Sequence, residues 1–307
     1  MREAAVSRCF SQPARPGRVS LQPAAPTTGR TSCRTGGGTV SALYRFGSSL
    51  FLAGFRALRV DLRVTGHEHI PATGPVVLAS NHISYLDFAF VMLAPPAPRR
   101  EVRFLARNDF FRNPVTGFLL RQLGQIPVDV HGDALQAAAA AQSVLEDGEV
   151  VGLHPEGTIS PSFVPRRGKS GVVRLADSVG APIVPVALWG SQRLLTKGRP
   201  ARPTRGAVVV VRYGEAFRPT ARTTMLRTQE VMERIGAELE RAQTSYPQRP
   251  GPPPEDWWQP AHLGGSAPTP EEAEAAIRAQ NEARRRAREA KGAAGAADAR
   301  RTAGGAA

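Results

Sequence analysis

Apolar residues follow two different rhythms along this chain. Ala42, Leu43, Phe46, Leu50, Phe51, Leu52, Phe55 and Leu58 recur at near-helical spacing, with Arg45, Arg56 and Arg59 set among them. That pattern predicts an amphipathic helix over residues 39–60. A helix of this kind suits a membrane interface, its arginines turned toward anionic headgroups. An ordinary helix packed on a protein core has the same periodicity. Beyond it the rhythm changes to short continuous apolar runs at Pro75–Ser80, Val102–Ala106, Ile126–Val128, Val150–Leu153, Ile183–Leu188 and Ala207–Tyr213. Runs without polar alternation predict strands buried on both faces. Helical stretches separate them: one after His82, one through Phe118–Leu120, then Ala134–Leu145, Val172–Val179 and Met225–Arg241. Strands alternating with helices imply the α/β class, with a mostly parallel central sheet covered by helices. In such folds ligands gather at the carboxyl ends of strands.

Composition adds boundaries to this pattern. Residues 1–38 are rich in Arg, Pro, Ser, Thr and Gly and read as a disordered basic segment. The folded domain is expected over 39–247, and 248–307 reads as a Pro-rich, then charged, disordered tail. The 307 residues carry 40 Lys and Arg against 26 Asp and Glu, which favours anionic partners: nucleic acid, an anionic membrane or a phosphorylated substrate. No nucleic-acid recognition motif accompanies the charge, and nucleic acid is not expected as a partner. With only two cysteines, Cys9 and Cys33, neither a disulfide framework nor a structural zinc site is expected. Neither a signal peptide nor an apolar run of about 18 residues is legible. Trp257-Trp258 suits either a membrane interface or a docking contact onto the folded domain. The Arg284–Arg286 run reads as solvated, and His67, His69 and His131 show no ligand spacing.

Two constellations carry candidate chemistry. In Asn81-His82-Ile83-Ser84-Tyr85-Leu86-Asp87 a histidine leaves a strand end and an aspartate follows about one helical turn later. The carboxylate can then reach the imidazole Nδ1–H and fix its tautomer, freeing Nε2 to take a proton from an alcohol. This is the His–Asp part of a hydrolase triad, with a substrate hydroxyl as nucleophile. The same residues fit a helix capping box, Ser84 serving as N-cap and Asp87 reaching back. The second constellation, His154-Pro155-Glu156-Gly157-Thr158, follows a buried strand. Beyond it lies the basic loop Pro165–Gly171, which contains Arg166, Arg167 and Lys169. A glycine turn beside cations suits a phosphate, and a solvated basic loop reads the same way. Neither GxGxxG nor GxxxxGK[ST] is present, and no third metal ligand lies near His82.

Together these segments resemble the lysophospholipid acyltransferase family, the glycerol-phosphate acyltransferases. Asn81 to Asp87 resembles the family's first block, and Phe104 to Gly117, running on to Gly124–Pro127, its second. Pro155–Thr158 with Arg167-Gly168-Lys169 resembles the third, and Ala181–Ala187 the fourth. The blocks stand in family order across roughly residues 40–220.

The resemblance implies a glycerolphosphate acyltransferase-like fold and an O-acyltransferase of phospholipid biosynthesis. His82 would be the general base, oriented by Asp87. Asn81, Arg107, Glu156, Gly157, Thr158, Arg167 and Lys169 would bind substrate, and Pro185 would lie near the acyl site. The acceptor would be a lysophospholipid, foremost 1-acyl-sn-glycerol-3-phosphate. The donor would be the thioester of acyl-CoA or acyl carrier protein, used as a co-substrate, with no resident cofactor and no metal. The protein would sit peripherally on the cytoplasmic side of the cell membrane, against its anionic surface. The departures are Ile159 and Val130, where the family places arginine, and His154, where it places an aromatic ring. The two missing cations leave another lysophospholipid or a glycolipid as the alternative acceptor, and a non-catalytic lipid-binding relative as the alternative role.

Overall fold

The computed structural model describes residues 42–93, 100–128, 134–201, 203–283 and 285–287. The readings made for residues 1–38, the two cysteines, Val130, His131, Arg284 and the chain beyond 287 lie outside these. The described strands are β1 (Asp61–Thr65), β2 (Val76–Ser80), β3 (Val102–Arg107), β4 (Ile126–Val128), β5 (Val150–Leu153), β6 (Ile183–Trp189) and β7 (Val208–Tyr213). They form one sheet in the order β1-β7-β6-β2-β5-β3-β4. Pairings from β6 through β2, β5 and β3 to β4 are parallel. β7 runs antiparallel to β6 and carries β1 parallel to itself at the edge. The sheet is therefore mostly parallel, as the alternation of elements predicts. β2, β3, β5 and β6 all end at one edge, and the residues that follow β2, β5 and β6 meet there.

Both faces of the sheet are covered, which is why its central strands are uniformly apolar. Val76 and Leu78 face one side and pack with Phe90, Val184, Val186, Val209 and Val211 beneath α1 (Ala42–Ala57) and α2 (Asp87–Leu93). Val77 and Ala79 face the other, packing with Val151, Val172, Val173, Ile183, Val231 and Ile235. On that side lie α5 (Ala134–Glu146), α6 (Gly171–Val179) and α7 (Thr224–Thr244). α3 (Asn108–Arg112) and α4 (Pro114–Gln122) follow β3. A proline at the first turn of α4, and Asn113 Oδ1 accepting from the N–H of Val115 and Thr116, set where that helix begins.

α1 packs on the core along one face and stays exposed along another. Tyr44 and Phe55 are buried, and the Phe55 ring stacks on Phe90 at 4.3 Å between centroids. Leu43, Phe46 and Leu50 remain exposed on the same helix. Among the described residues, no helix is long and apolar enough to cross a membrane.

The expected disordered tail from residue 248 needs correction. Residues 270–283 are helical, and Trp258, Ala267, Ala273 and Ile277 are buried. The Trp258 ring packs against Trp189 and Tyr246, and Arg193 lies over it at 4.7 Å. The Trp257-Trp258 pair thus makes a docking contact on the domain. Its few buried anchors sit in a Pro- and Ala-rich background that conceals them from a reading of composition.

Candidate active site

β2 ends at Ser80, and the next residues leave the sheet. Asn81 continues the β2–β6 ladder with its side chain: Nδ2 donates to the Leu188 carbonyl at 3.0 Å, and Oδ1 accepts from Leu188 N–H at 2.8 Å. Expected to bind substrate, Asn81 is fully buried and directs its polar atoms at backbone, so it holds the turn that presents His82. Five residues on, Asp87 opens α2 and points back. Its Oδ2 lies 2.9 Å from His82 Nδ1 and also accepts the N–H of Ile83 at 2.7 Å and of Ser84 at 2.8 Å. Its Oδ1 accepts from the Ser191 hydroxyl at 2.6 Å. One buried carboxylate therefore caps the turn and orients the imidazole together. With Nδ1 so engaged, His82 keeps Nε2 for other partners, and its side chain retains 20% exposure.

The second constellation packs directly against the first. Glu156 is buried at the end of the β5 turn; its Oε1 accepts the His82 N–H at 2.8 Å and its Oε2 accepts the Arg166 N–H at 3.0 Å. Ser160 N–H donates to the His82 carbonyl at 2.8 Å. Glu156 thus clamps the two constellations together from within, where a substrate contact was expected. Burial pushes its carboxyl up to about 8, against the two N–H donors and the nearby Arg166, which act to lower it. Gly157 adopts a positive φ of 70°, and a Cβ there would stand 2.7 Å from the Lys169 ammonium, so the lysine crosses this turn closely. Thr158 is half-buried in the same turn, and Arg167 is exposed.

Two of the nearby cations are ion-paired. Arg166 is bound to Glu274 of the C-terminal helix by two contacts, at 2.5 and 3.0 Å. Arg107, at the end of β3, pairs with the exposed Asp109 at 2.5 Å. Ile159 is buried in the core. Pro185 lies within β6 beside Ala79 of β2.

Three residues of the site have no role assigned to them by the sequence reading. Ser191 follows β6 by way of Gly190, far along the chain from Asp87. Ser80 offers its hydroxyl to His154 Nδ1 at 2.8 Å. His154 lays its ring on His82, 4.1 Å between centroids and 5° from parallel. Burial, with His82 adding to it, holds the His154 imidazole down to about 3. Among the described residues, no group of three or more His, Cys, Asp or Glu is placed to hold a metal ion.

Comparison with known proteins reaches the same region. The Acyltransferase family profile matches residues 61–189, from β1 to the end of β6. The 1-acyl-sn-glycerol-3-phosphate acyltransferase of Bacillus subtilis is 29% identical over 146 residues, 47% of this chain and 71% of that protein. The enzyme of the same name from Borreliella burgdorferi is 30% identical over 156 residues, 48% of this chain and 57% of its own length. The crystal structure of the 1-acyl-sn-glycerophosphate acyltransferase PlsC from Thermotoga maritima shares the fold, with a TM-score of 0.56 at 23% identity over 67% of this chain and 81% of that one. The profile spans both constellations and the fold that carries them is shared with that structure; residues 61–189 of this chain are similar to the Acyltransferase family.

Proposed function

We propose that the protein moves an acyl group from a thioester to the free hydroxyl of a lysophospholipid, 1-acyl-sn-glycerol-3-phosphate foremost, with His82 as general base. The observation that carries this reading is the His82–Asp87 contact at 2.9 Å at the carboxyl edge of the sheet. Its Nδ1 side is fixed by a carboxylate that is itself held by three other donors, so Nε2 is the nitrogen left to take the hydroxyl proton. The acceptor oxygen then attacks the thioester carbonyl, the thiolate leaves, and the proton held on His82 goes to the leaving sulfur. Asp87 stabilises the imidazolium in between. A thioester is already an activated acyl group, so the scheme needs no serine or cysteine nucleophile and draws on no resident cofactor. Acyl-CoA and acyl carrier protein are both donors of this class. Lys169, Arg167 and Arg107, near the carboxyl edge, are the cations proposed for a phosphate on the acceptor.

The names of the relatives support lysophosphatidate as acceptor. The commitment of Arg166 to Glu274 and the burial of Ile159 favour a second reading, in which another lysophospholipid or a glycolipid is acylated. We place the protein peripherally at the cytoplasmic face of the cell membrane, held by α1 and its basic surface. A panel of lyso-acceptors with a labelled acyl-CoA tests the proposal. Wild type is expected to acylate at least one acceptor, with His82→Ala slower by at least roughly a hundredfold. Equal rates for the two would remove His82 from the mechanism.

A further inference from the structure

His82 is held at its edge by Asp87, but one hydrogen bond at Nδ1 leaves the ring free to swing about the line joining the two atoms. A contact on the ring's face removes that freedom, and His154 supplies it: the centroids are 4.1 Å apart and the planes 5° from parallel. His154 is fixed in turn. The Ser80 hydroxyl meets its Nδ1 at 2.8 Å, and the Phe104 ring lies 5.1 Å away at 29°. Phe104 occupies the space over Gly152, where a Cβ would stand 2.3 Å from the ring, so a glycine in the middle of buried β5 is what admits it. Phe104, His154 and His82 thus form a column of three rings rising from the sheet to the proposed base.

We propose that His154 is a positioning residue for His82, its flat face setting the plane in which Nε2 meets the acceptor hydroxyl. This rests on the reading of His82 as general base. A second imidazole so close would oppose the imidazolium formed in the reaction if it were charged. Burial keeps it neutral, holding it down to about 3. The column therefore gives a planar support without a competing charge.

Three variants of the full chain separate the possibilities, with His82→Ala run in parallel. His154→Leu fills the space without a flat ring, and kcat is expected to fall roughly 10- to 100-fold, the scale of a small misplacement of a reacting group. KM for acceptor and donor should stay within about threefold, since neither is bound by this face. His154→Phe keeps the face and should recover kcat to within about threefold of wild type. The acid limb of the kcat/KM profile, which reports the base, should hold its midpoint in His154→Phe and move in His154→Leu. His154→Ala should resemble His154→Leu. Wild-type kcat in His154→Leu, with His82→Ala inactive, would overturn the column and leave the base in place. A loss in His154→Phe equal to that in His154→Leu, with unchanged circular dichroism and Tm, would overturn it too, because the polar ring atoms would then be what matters. Activity in His82→Ala would instead overturn the base.

Discussion

At the scale of single residues the site turns on one carboxylate with four donors. The capping box and the catalytic pair stand as alternatives in the sequence, because Ser84-x-x-Asp87 and His82-x-x-x-x-Asp87 share their last residue. Both sets of contacts coexist in the structure: Oδ2 of Asp87 takes two backbone N–H groups of the turn and the His82 ring. The cap supplies the rigidity that the pair needs. Ser191 completes the shell at Oδ1, and its removal should be felt in both stability and rate. Ser191→Ala leaves a buried carboxylate oxygen without its donor, a cost of about 1–3 kcal/mol. It should also lower kcat, because Asp87 can then turn away from His82. A variant with wild-type denaturation midpoint and kcat would show that the hydroxyl is dispensable. His82 and Asp87 were legible because strand end, spacing and turn chemistry coincide within seven residues. Ser191 and His154 were not, since the contacts that define them cross 104 and 72 positions of chain.

A pH test belongs to the same scale. His154 has an ordinary value of 6.5 and stands near 3 when folded, so between these values the unfolded chain binds more protons. Stability from this group is present above about pH 6.5 and is lost as the pH falls toward 3. Glu156 acts oppositely: raised from 4.5 to about 8, it makes the folded state bind more protons in that window, and its contribution weakens as the pH rises. The total pH curve mixes the two, and a difference isolates one. Between about pH 7 and about pH 5, Tm should fall further in wild type than in His154→Phe, which has no group to protonate. Parallel falls in scanning calorimetry would show that His154 does not carry the effect.

At the scale of elements, period was a better guide than polarity. Six strands announced themselves as apolar runs because a parallel sheet buries both faces. β1 did not, because Asp61-Leu62-Arg63-Val64-Thr65 alternates and lies at the edge, its pairing supplied by β7. α1 was legible as a helix, and its environment divides by face. Phe55 stacks on Phe90, and Gly47 lies against Leu123 so closely that a Cβ would approach to 2.9 Å. Leu43, Phe46 and Leu50 stand 60%, 53% and 45% exposed, and Val115 and Phe118 of neighbouring α4 are exposed as well. Exposed apolar side chains on α1, alongside the exposed Arg45 and Arg56, are what an anionic bilayer would engage. Changing Leu43, Phe46 and Leu50 together to Ser should weaken binding to anionic vesicles by at least roughly tenfold, since each side chain buried contributes about 1.5–3 kcal/mol. Activity on a short-chain, monomeric acceptor should be kept. Unchanged flotation with vesicles would remove α1 from membrane binding, and a loss of activity on the monomeric acceptor would mark these residues as structural.

At the scale of the whole molecule, the segment after residue 248 closes the fold over the side of the sheet near the site. It covers Trp189 and Phe163 with the two tryptophans, and the Trp258 carbonyl accepts from Gln192. Through Glu274 it also holds Arg166, whose N–H in turn holds Glu156, the residue that grips the His82 backbone. The segment is thus linked to the proposed base by consecutive contacts, and its removal should cost more than its own burial. Trp258→Ala, which empties a site of 4% exposure, should destabilise the protein by about 3–5 kcal/mol. Glu274→Gln breaks the ion pair without leaving a void and should change stability little, because Glu274 is 42% exposed. A drop in kcat in Glu274→Gln with an unchanged denaturation midpoint would then report the link through Arg166 and Glu156 alone. Measuring both variants by urea denaturation and acyl transfer separates the two roles. If Trp258→Ala unfolds at the wild-type urea concentration, the segment does not support the core. If Glu274→Gln keeps wild-type kcat, the contacts from helix to base hold the backbone in place without setting the rate.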